Sequence, residues 1–412
     1  MSKLNDLMDK MCSNGVEYKR FGDIAQISRG ASPRPIKSFI TQEKVGVNWI
    51  KIGDVAVGSK YITSTNEKIT QEGAKKSRMV HVGDFILSNS MSFGRPYIMK
   101  IDGCIHDGWL SISDFNEHML SDYLYYVLVS AETQNEMRKR ASFGGAVQNL
   151  NADIVRELEL PVPPLEVQRE IVQILDKFTL LSAELSAELS AELSARKKQY
   201  SYYLNRFFES QQENLMPLNE VGSLTRGKRF VHKDATEEGV PCIHYGELYT
   251  YYGVYADEVK SHIREELRSK MRYAHKNDVI IVGAGENNVD IGVGVAWEGN
   301  EDVAVHDACY TFSHDQNPRY ISYYLRSEMY HRQIKKYVSE GKICAISAEG
   351  LGKALIPIPS MEEQNRIVAI LSKFDGLCND ISEGIPAEIE ARQKQYEYYR
   401  DRVLKFRKEE NE

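Results

Sequence analysis

Two stretches of the chain carry a helical spacing of apolar residues that sets them apart. In the first, Pro163 and Pro164 stand just ahead of Leu165, and proline costs least at the start of a helix. Ile171, Leu175 and Phe178 follow at three- and four-residue spacing and form one apolar stripe. The stripe runs on through LSAELSAELSAELSA (181–195) as Leu181, Leu185, Leu189 and Leu193, in a background of alanine and glutamate that favours helix. In the second stretch Ile367, Leu371 and Phe374 repeat the first stripe, and Ile381, Ile385 and Ile389 stand where Leu185, Leu189 and Leu193 stand in the first. A strict period of four overshoots the 3.6-residue turn, so the stripe drifts by about 40° per repeat. Gly384 and Pro386 predict a kink or a fresh helix start in the second stretch. A long helix with one apolar stripe needs a partner. Two copies predict antiparallel packing about a pseudo-two-fold axis; packing of each helix on its own globular domain is the other arrangement the pattern allows.

The two stretches are copies of one another. LPVPPLEVQREIVQILDKF (160–178) matches IPIPSMEEQNRIVAILSKF (356–374) at an offset of 196, with Pro161, Pro163, Glu166, Gln168, Ile171, Val172, Ile174, Leu175, Lys177 and Phe178 all recurring. The same offset pairs ARKKQYSYYLNRFF (195–208) with ARQKQYEYYRDRVL (391–404). The chain is thus a tandem duplication of a unit of roughly 200 residues. Upstream the match is weaker: SRG (28–30) faces TRG (225–227), VGDFILS (82–88) faces KNDVIIV (276–282), IHDGW (105–109) faces VHDAC (305–309), and YLYYVL (123–128) faces YISYYL (320–325). The drifting offset is that of small insertions inside one shared fold. This organisation divides the chain into a globular domain (1–158), a helical spacer (159–210) with SAEL repeats at 182–193, a second globular domain (211–355) and a second spacer (356–412).

Composition adds constraints. With 412 residues, 42% hydrophobic and 27% charged, the chain has room for two or three ordinary globular domains. Its polar beginning, MSKLNDLMDKMCSNG, has no signal-peptide core, and no apolar run approaches ~20 residues; the expected location is the cytoplasm. The six cysteines form no CxxC pair, which suits reduced thiols rather than a zinc ribbon. The net charge of −7 argues at first against nucleic acid. It is unevenly spread: residues 1–158 hold 20 Lys and Arg against 18 Asp and Glu, whereas residues 211–355 hold 17 against 21. A nucleic-acid ligand would need local basic patches or help from a partner.

Catalytic motifs are missing. EGLGKAL (349–355) lacks the spacing and hydroxyl of a Walker A loop, and VGAGENN (282–288) lacks the third glycine of a dinucleotide fingerprint. No Asn-Pro-Pro-aromatic or Asp-Pro-Pro-aromatic tetrapeptide occurs. The pairs His106/Asp107 and His306/Asp307, near Cys104 and Cys309, have metal-ligand chemistry but no second ligand group at metal spacing. A repeated structural hydrogen bond at a strand end is the simpler reading.

The paired blocks LPVPPLEVQREIVQILDKF and IPIPSMEEQNRIVAILSKF, with their ARKKQY and ARQKQY tails and the opening GVEYKRFGDI (15–24), resemble the conserved regions of type I restriction-modification specificity subunits, in the same order along the whole chain. The resemblance implies two α/β (α+β) target-recognition domains joined by two long antiparallel coiled-coil helices, without catalysis on this chain. It further implies double-stranded DNA as ligand, each domain reading half of a bipartite asymmetric target. Two adenine-methyltransferase (modification) subunits would dock on the helices and restriction-translocase subunits on that core, with S-adenosylmethionine, ATP and Mg²⁺ on those partners. A recognition subunit of another DNA-modifying or phage-defence system is the alternative. SAEL resembles the family's short repeat whose copy number changes target spacing.

Base reading favours Arg, Lys, Asn and Gln on irregular segments. In the first domain the candidates are Arg29, Arg34 and Lys37 in SRGASPRPIK, Lys75, Lys76 and Arg78 in AKKSRM, and Ser92 and Arg95 in NSMSFGRP. In the second they are Arg226, Lys228 and Arg229 in TRGKRF, Arg268, Lys270 and Arg272 in LRSKMR, and Asn287 and Asn288 in GAGENN. The tyrosines of YLYYVL and YISYYL have helical spacing and belong to a core rather than to a base-stacking platform.

Overall fold

The computed structural model describes residues 2–55, 58–89, 93–144, 147–210, 214–380 and 383–409. They form two compact units, Met1–Ser186 with Ala391–Glu412, and Ala187–Glu390.

In the first unit, strands of two to five residues build two five-stranded sheets. One has the order 26–29, 109–113, 85–88, 96–99, 61–62, and the other 40–41, 67–69, 47–50, 103–105, 78–80. Each sheet is antiparallel except for one parallel pair, Tyr61↔Ile98 and Cys104↔Trp49 respectively. The first sheet is covered on both faces. Phe85, Leu87, Leu110 and Ile112 join one apolar cluster with the helices, whereas Ile86, Tyr97, Met99 and Trp109 join a second cluster with Ile50, Val80 and Ile105 of the other sheet. A strand covered on both sides favours apolar residues on both faces, as Phe85, Ile86 and Leu87 show, with the buried Ser88 closing the strand.

The second unit repeats this plan strand for strand. Its sheets run 222–226, 309–314, 279–282, 294–297, 255–256 and 235–236, 261–263, 240–243, 303–305, 273–274. The parallel pairs recur in the same places, Tyr255↔Ala296 and Cys242↔Ala304. The turn before the central strand recurs too: Gly83 and Asn277 both have positive φ, beside His81 and His275, whose backbone N–H groups each donate 2.8 Å bonds to Asp84 and Asp278.

Each domain hands over to its spacer helix through the same joint. Tyr123 and Tyr320, buried on Ser121–Val129 and Pro318–Tyr324, donate hydroxyl bonds to the carbonyls of Pro161 and Pro357 at 3.1 and 2.9 Å. Gln168 and Gln364 are buried. The Gln168 amide donates to the carbonyls of His118 and Pro163 (2.9 and 2.8 Å) and accepts from the Leu120 N–H at 2.8 Å. Gln364 donates to Gln316 Oε1 and the Pro359 carbonyl, and accepts from the Asn317 N–H at 3.0 Å.

Beyond the joint, the first spacer is a single helix, Leu165–Ser210. The second is two helices, Met361–Asn379 and Ile385–Val403. The fresh start has a visible cause. A Cβ on Gly384 would stand 2.5 Å from the Asp380 carbonyl oxygen, and Pro386 has no N–H to continue the ladder. Of the predicted stripe, Ile171, Leu175, Ile367 and Leu371 are fully buried, in the same clusters as their own domains' tyrosine-bearing helices. Helix–helix contact begins at the next turn. Phe178 lies against Tyr399 with ring centroids 6.3 Å apart in the first unit, and Phe374 stacks on Tyr203 at 5.4 Å in the second. Leu185 lines a groove with Arg392 and Tyr396 in the first unit, and with the Phe178–Tyr399 contact this makes the packing there antiparallel. Leu189, Leu193 and Ile389 are half-buried and Ile385 is buried; Ile381 lies outside the described residues. The helix packing is therefore shared between the domain and the second helix.

Replacing Gln168 with Leu keeps the side chain's size and leaves two carbonyls and one N–H unpaired. At about 1–3 kcal/mol per group, urea denaturation is expected to show a loss of roughly 3–9 kcal/mol, and Gln364→Leu a similar one. A loss below ~1 kcal/mol would show that water satisfies these groups and that the joint is not held by the amide.

Candidate nucleic-acid interface

In each unit the sequence candidates converge on the turn between the strand that ends at Ile105 or Val305 and the strand that begins at Trp109 or Cys309. In the first unit this is His106–Asp107–Gly108. His106 Nδ1 accepts the Gly108 N–H at 2.8 Å, and Asp107 Oδ1 accepts the Ser32 hydroxyl at 2.8 Å. The turn presents the Asp107 carbonyl to Arg29 Nε at 3.2 Å, and Asn89 Nδ2 donates to the same carbonyl at 2.9 Å. Arg78 Nε in turn donates to the Arg29 carbonyl at 3.4 Å.

The second unit has the same arrangement in different letters. His306 Nδ1 accepts the Ala308 N–H at 3.1 Å, Arg226 Nε donates to the Asp307 carbonyl at 2.7 Å, and Arg272 Nη1 donates to the Arg226 carbonyl at 2.6 Å. The glycine after each first arginine is dictated by crowding: a Cβ on Gly30 or Gly227 would lie 2.1 or 2.2 Å from the His106 or His306 carbonyl oxygen. All four arginines are exposed, and none has a carboxylate at ion-pair distance among the described residues.

The remaining candidates fall into two groups. Arg34 and Lys37 lie on the exposed segment after Gly30, and Lys75 and Lys76 on the exposed end of Gln71–Lys75 and its cap. Ser77 Oγ donates to the Ala31 carbonyl at 2.6 Å and so brings these two segments together. Lys76 is partly committed, to Glu72 and to the Phe39 ring. Lys228 and Arg229 are exposed immediately after Gly227, and Lys270 is exposed before Arg272. Outside this grouping, Arg268 is ion-paired with Glu265. The amides of Asn287 and Asn288 are bonded to Asp290 and Glu340. Arg95 is exposed on the loop that leaves Asn89, and Ser92 lies outside the described residues.

The His-Asp pairs form turns at the strand ends. Among the described residues no cluster of three potential ligands could hold a metal. Cys104 precedes its histidine in one sheet, whereas Cys309 follows its histidine in the other, so the two cysteines are not equivalent. Burial lowers the pKa of both His106 and His306, and the nearby His244 adds to the effect on His306. The neutral ring suits the geometry: with its proton on Nε2, His306 bonds the Phe230 carbonyl at 3.2 Å while Nδ1 accepts from Ala308. The sequence already paired IHDGW with VHDAC and SRG with TRG, but the contact of each arginine with the turn's carbonyl depends on strand pairing that the letters do not display.

A family model for the type I restriction modification DNA specificity domain matches the chain twice, over residues 13–195 and 213–391. The chain belongs to the type I restriction-modification specificity family. It is similar to the EcoR124I/EcoR124II specificity subunit of Escherichia coli, 30% identical over 434 residues covering 100% of this chain and 98% of that one. Its similarity to the EcoprrI specificity subunit of the same species is 22% over 93% of each. Among solved structures it is similar to a chain of a type I restriction-modification system (TM-score 0.72, 17% identity, 95% of this chain and 98% of that one). It is also similar to the HsdS subunit from Thermoanaerobacter tengcongensis (TM-score 0.55, 17% identity, 95% of each). These likenesses carry the two-domain α/β fold, and no helix among the described residues is long and apolar enough to cross a membrane.

The histidines make specificity-domain stability depend on pH. In the second unit His244, His306, His314 and His331 all have pKa values lowered by burial. Their contribution is complete above the unfolded value of ~6.5 and is lost as pH falls below it. His275, raised by Asp302, works in the opposite sense but is exposed. Urea midpoints are expected to fall between pH 7 and pH 5.5, and His306→Asn, which keeps the turn's acceptor, to reduce the fall. An unchanged midpoint over that range would contradict neutral buried rings.

Proposed function

We propose that this chain is the non-catalytic DNA-recognition subunit of a type I restriction-modification complex. On this reading each domain reads one half of a bipartite duplex target through the face around its arginine-bearing turn. The observation that carries the reading is the recurrence of that turn, Arg29 and Arg78 beside Asp107, Arg226 and Arg272 beside Asp307, in two tandem specificity domains. Exposed arginines with no carboxylate at ion-pair distance among the described residues are suited to a polyanion, and the short irregular segments beside them, 31–37 and 228–234, differ between the domains as two different half-sites require. The net charge of −7 leaves part of the attraction to partners. Those partners are two adenine-methyltransferase subunits docked along the spacers, joined by restriction-translocase subunits. They bring S-adenosylmethionine, ATP and Mg²⁺, and the assembly works in the cytoplasm.

The helices act as the ruler between half-sites. One SAEL copy adds about 6 Å of helix and rotates its end by about 40°; one base pair advances DNA by about 3.4 Å and turns it by roughly 35°. The rotations nearly agree, so a whole copy can be gained or removed without turning a domain off its groove.

Co-expression with a partner adenine methyltransferase, followed by methylation mapping of the host genome, is expected to return one asymmetric bipartite sequence. Deleting Ser190–Leu193 is expected to shorten the spacer and leave both half-sites unchanged. Altered half-site bases would overturn the ruler, and methyl transfer by the isolated chain with labelled S-adenosylmethionine would overturn the non-catalytic reading.

A further inference from the structure

The two domains match only weakly in sequence, yet each holds a pair of arginines on main-chain carbonyls, the first on the His-Asp turn and the second on the first arginine. We infer that Arg29 with Arg78, and Arg226 with Arg272, are duplicated clamps for the DNA sugar-phosphate backbone and do not read bases. The inference rests on the proposal that this face meets DNA.

Two domains that read different half-sites share one thing in their ligand, the phosphodiester chain. A feature kept in both domains while its surroundings diverge is matched to that shared part. The construction agrees. The first arginine of each pair is tied through Nε to a main-chain carbonyl, at 3.2 Å for Arg29 and 2.7 Å for Arg226. That leaves the two terminal nitrogens of its exposed guanidinium without a bonded partner among the described residues, the fork that pairs with two phosphate oxygens. The second arginine is held by the first one's carbonyl. Because both anchors are backbone atoms, the arrangement persists whatever side chains the neighbouring loops carry. The His-Asp turn is the positioning element. Its carbonyl is aimed by the histidine's bond to the N–H two residues on, at 2.8 Å in one domain and 3.1 Å in the other. Asparagine can make the same short-range bond.

The divergent parts of the face are left to discriminate bases. At corresponding sheet positions the first domain has Trp49 beside Cys104 and the second has Cys242 beside Ala304. The smaller pair lies beside a cavity of about 380 Å³ lined by Cys242, His232, His244 and His262 next to the basic loop.

The test uses the full chain with its methyltransferase partner. Binding is measured by fluorescence anisotropy at roughly 50–200 mM salt, on one duplex carrying the mapped target and one scrambled duplex of equal length. Arg29→Ala/Arg78→Ala is expected to weaken binding to both duplexes by the same factor, on the order of tenfold per arginine. The salt slope should fall by about one for each arginine–phosphate pair removed. Arg226→Ala/Arg272→Ala should do the same. Arg29→Lys keeps the charge and should leave the slope unchanged while lowering affinity less. His106→Leu should mimic part of the arginine effect and His106→Asn restore binding, with unchanged urea midpoints excluding a folding defect. Weakening confined to the target duplex would overturn the inference, because the arginines would then be reading bases. Unchanged binding by both double variants, with the wild type still selecting its target, would overturn it while leaving the recognition role standing. A wild-type complex with no preference for the mapped duplex would remove both.

Discussion

Everything this chain does with its helices depends on how firmly each is gripped at its root. A helix of 46 residues is about 69 Å long, so a tilt of only about 5° at its base moves its far end by roughly 6 Å, nearly two base-pair steps. Apolar packing alone is poorly suited to fixing an angle, since a stripe can roll on a smooth surface at little cost. The buried amides of Gln168 and Gln364 supply directionality. Each makes three bonds: all of Gln168's and two of Gln364's are to main-chain atoms outside the helix or just ahead of it. The tyrosine hydroxyls on Pro161 and Pro357 fix the adjoining strand. Such groups contribute little net stability, but any other orientation leaves several buried polar groups unpaired, and that penalty sets the angle.

With the root fixed, the domains were free to diverge. The two ten-strand frameworks share strand order and parallel pairs while sharing few residues, because a sheet covered on both faces asks only for apolar side chains of suitable total volume. Where the frameworks constrain residue type, the reason is close geometry. Gly30 and Gly227 sit where no Cβ fits, and the turn at Gly83 and Asn277 has a positive φ that glycine and asparagine both adopt. The duplicated joint and the duplicated turn are thus the points where main-chain geometry, rather than volume, decides the residue.

That distinction also governs what could be read in the letters. The spacer helices, their shared stripe and the restart at Gly384–Pro386 are local patterns, and local patterns are legible. So was the burial of Tyr123, Tyr126, Tyr320 and Tyr323, whose helical spacing argued for a core. The sheets were not legible in detail: strands such as Phe85–Ser88 and Val279–Val282 are buried throughout and show no alternation from which pairing could be read. The interface was legible in composition and not in geometry. The segments 28–37 and 74–79 could be named as basic, but their meeting depends on the Ser77–Ala31 bond and on strands distant in sequence. Arg268, Asn287 and Asn288 looked equivalent to Arg226 by residue type. Their engagement with Glu265, Asp290 and Glu340 is a matter of three-dimensional neighbours.

The acidic net charge then ceases to be an objection to DNA. A uniformly basic surface would bind any duplex strongly and slow the search for one sequence. On the proposed reading, two small arginine pairs anchored to main-chain carbonyls hold the non-specific term low while fixing register on the backbone. On that reading discrimination falls to segments that differ between the domains, and avidity to the reading of two half-sites by one chain.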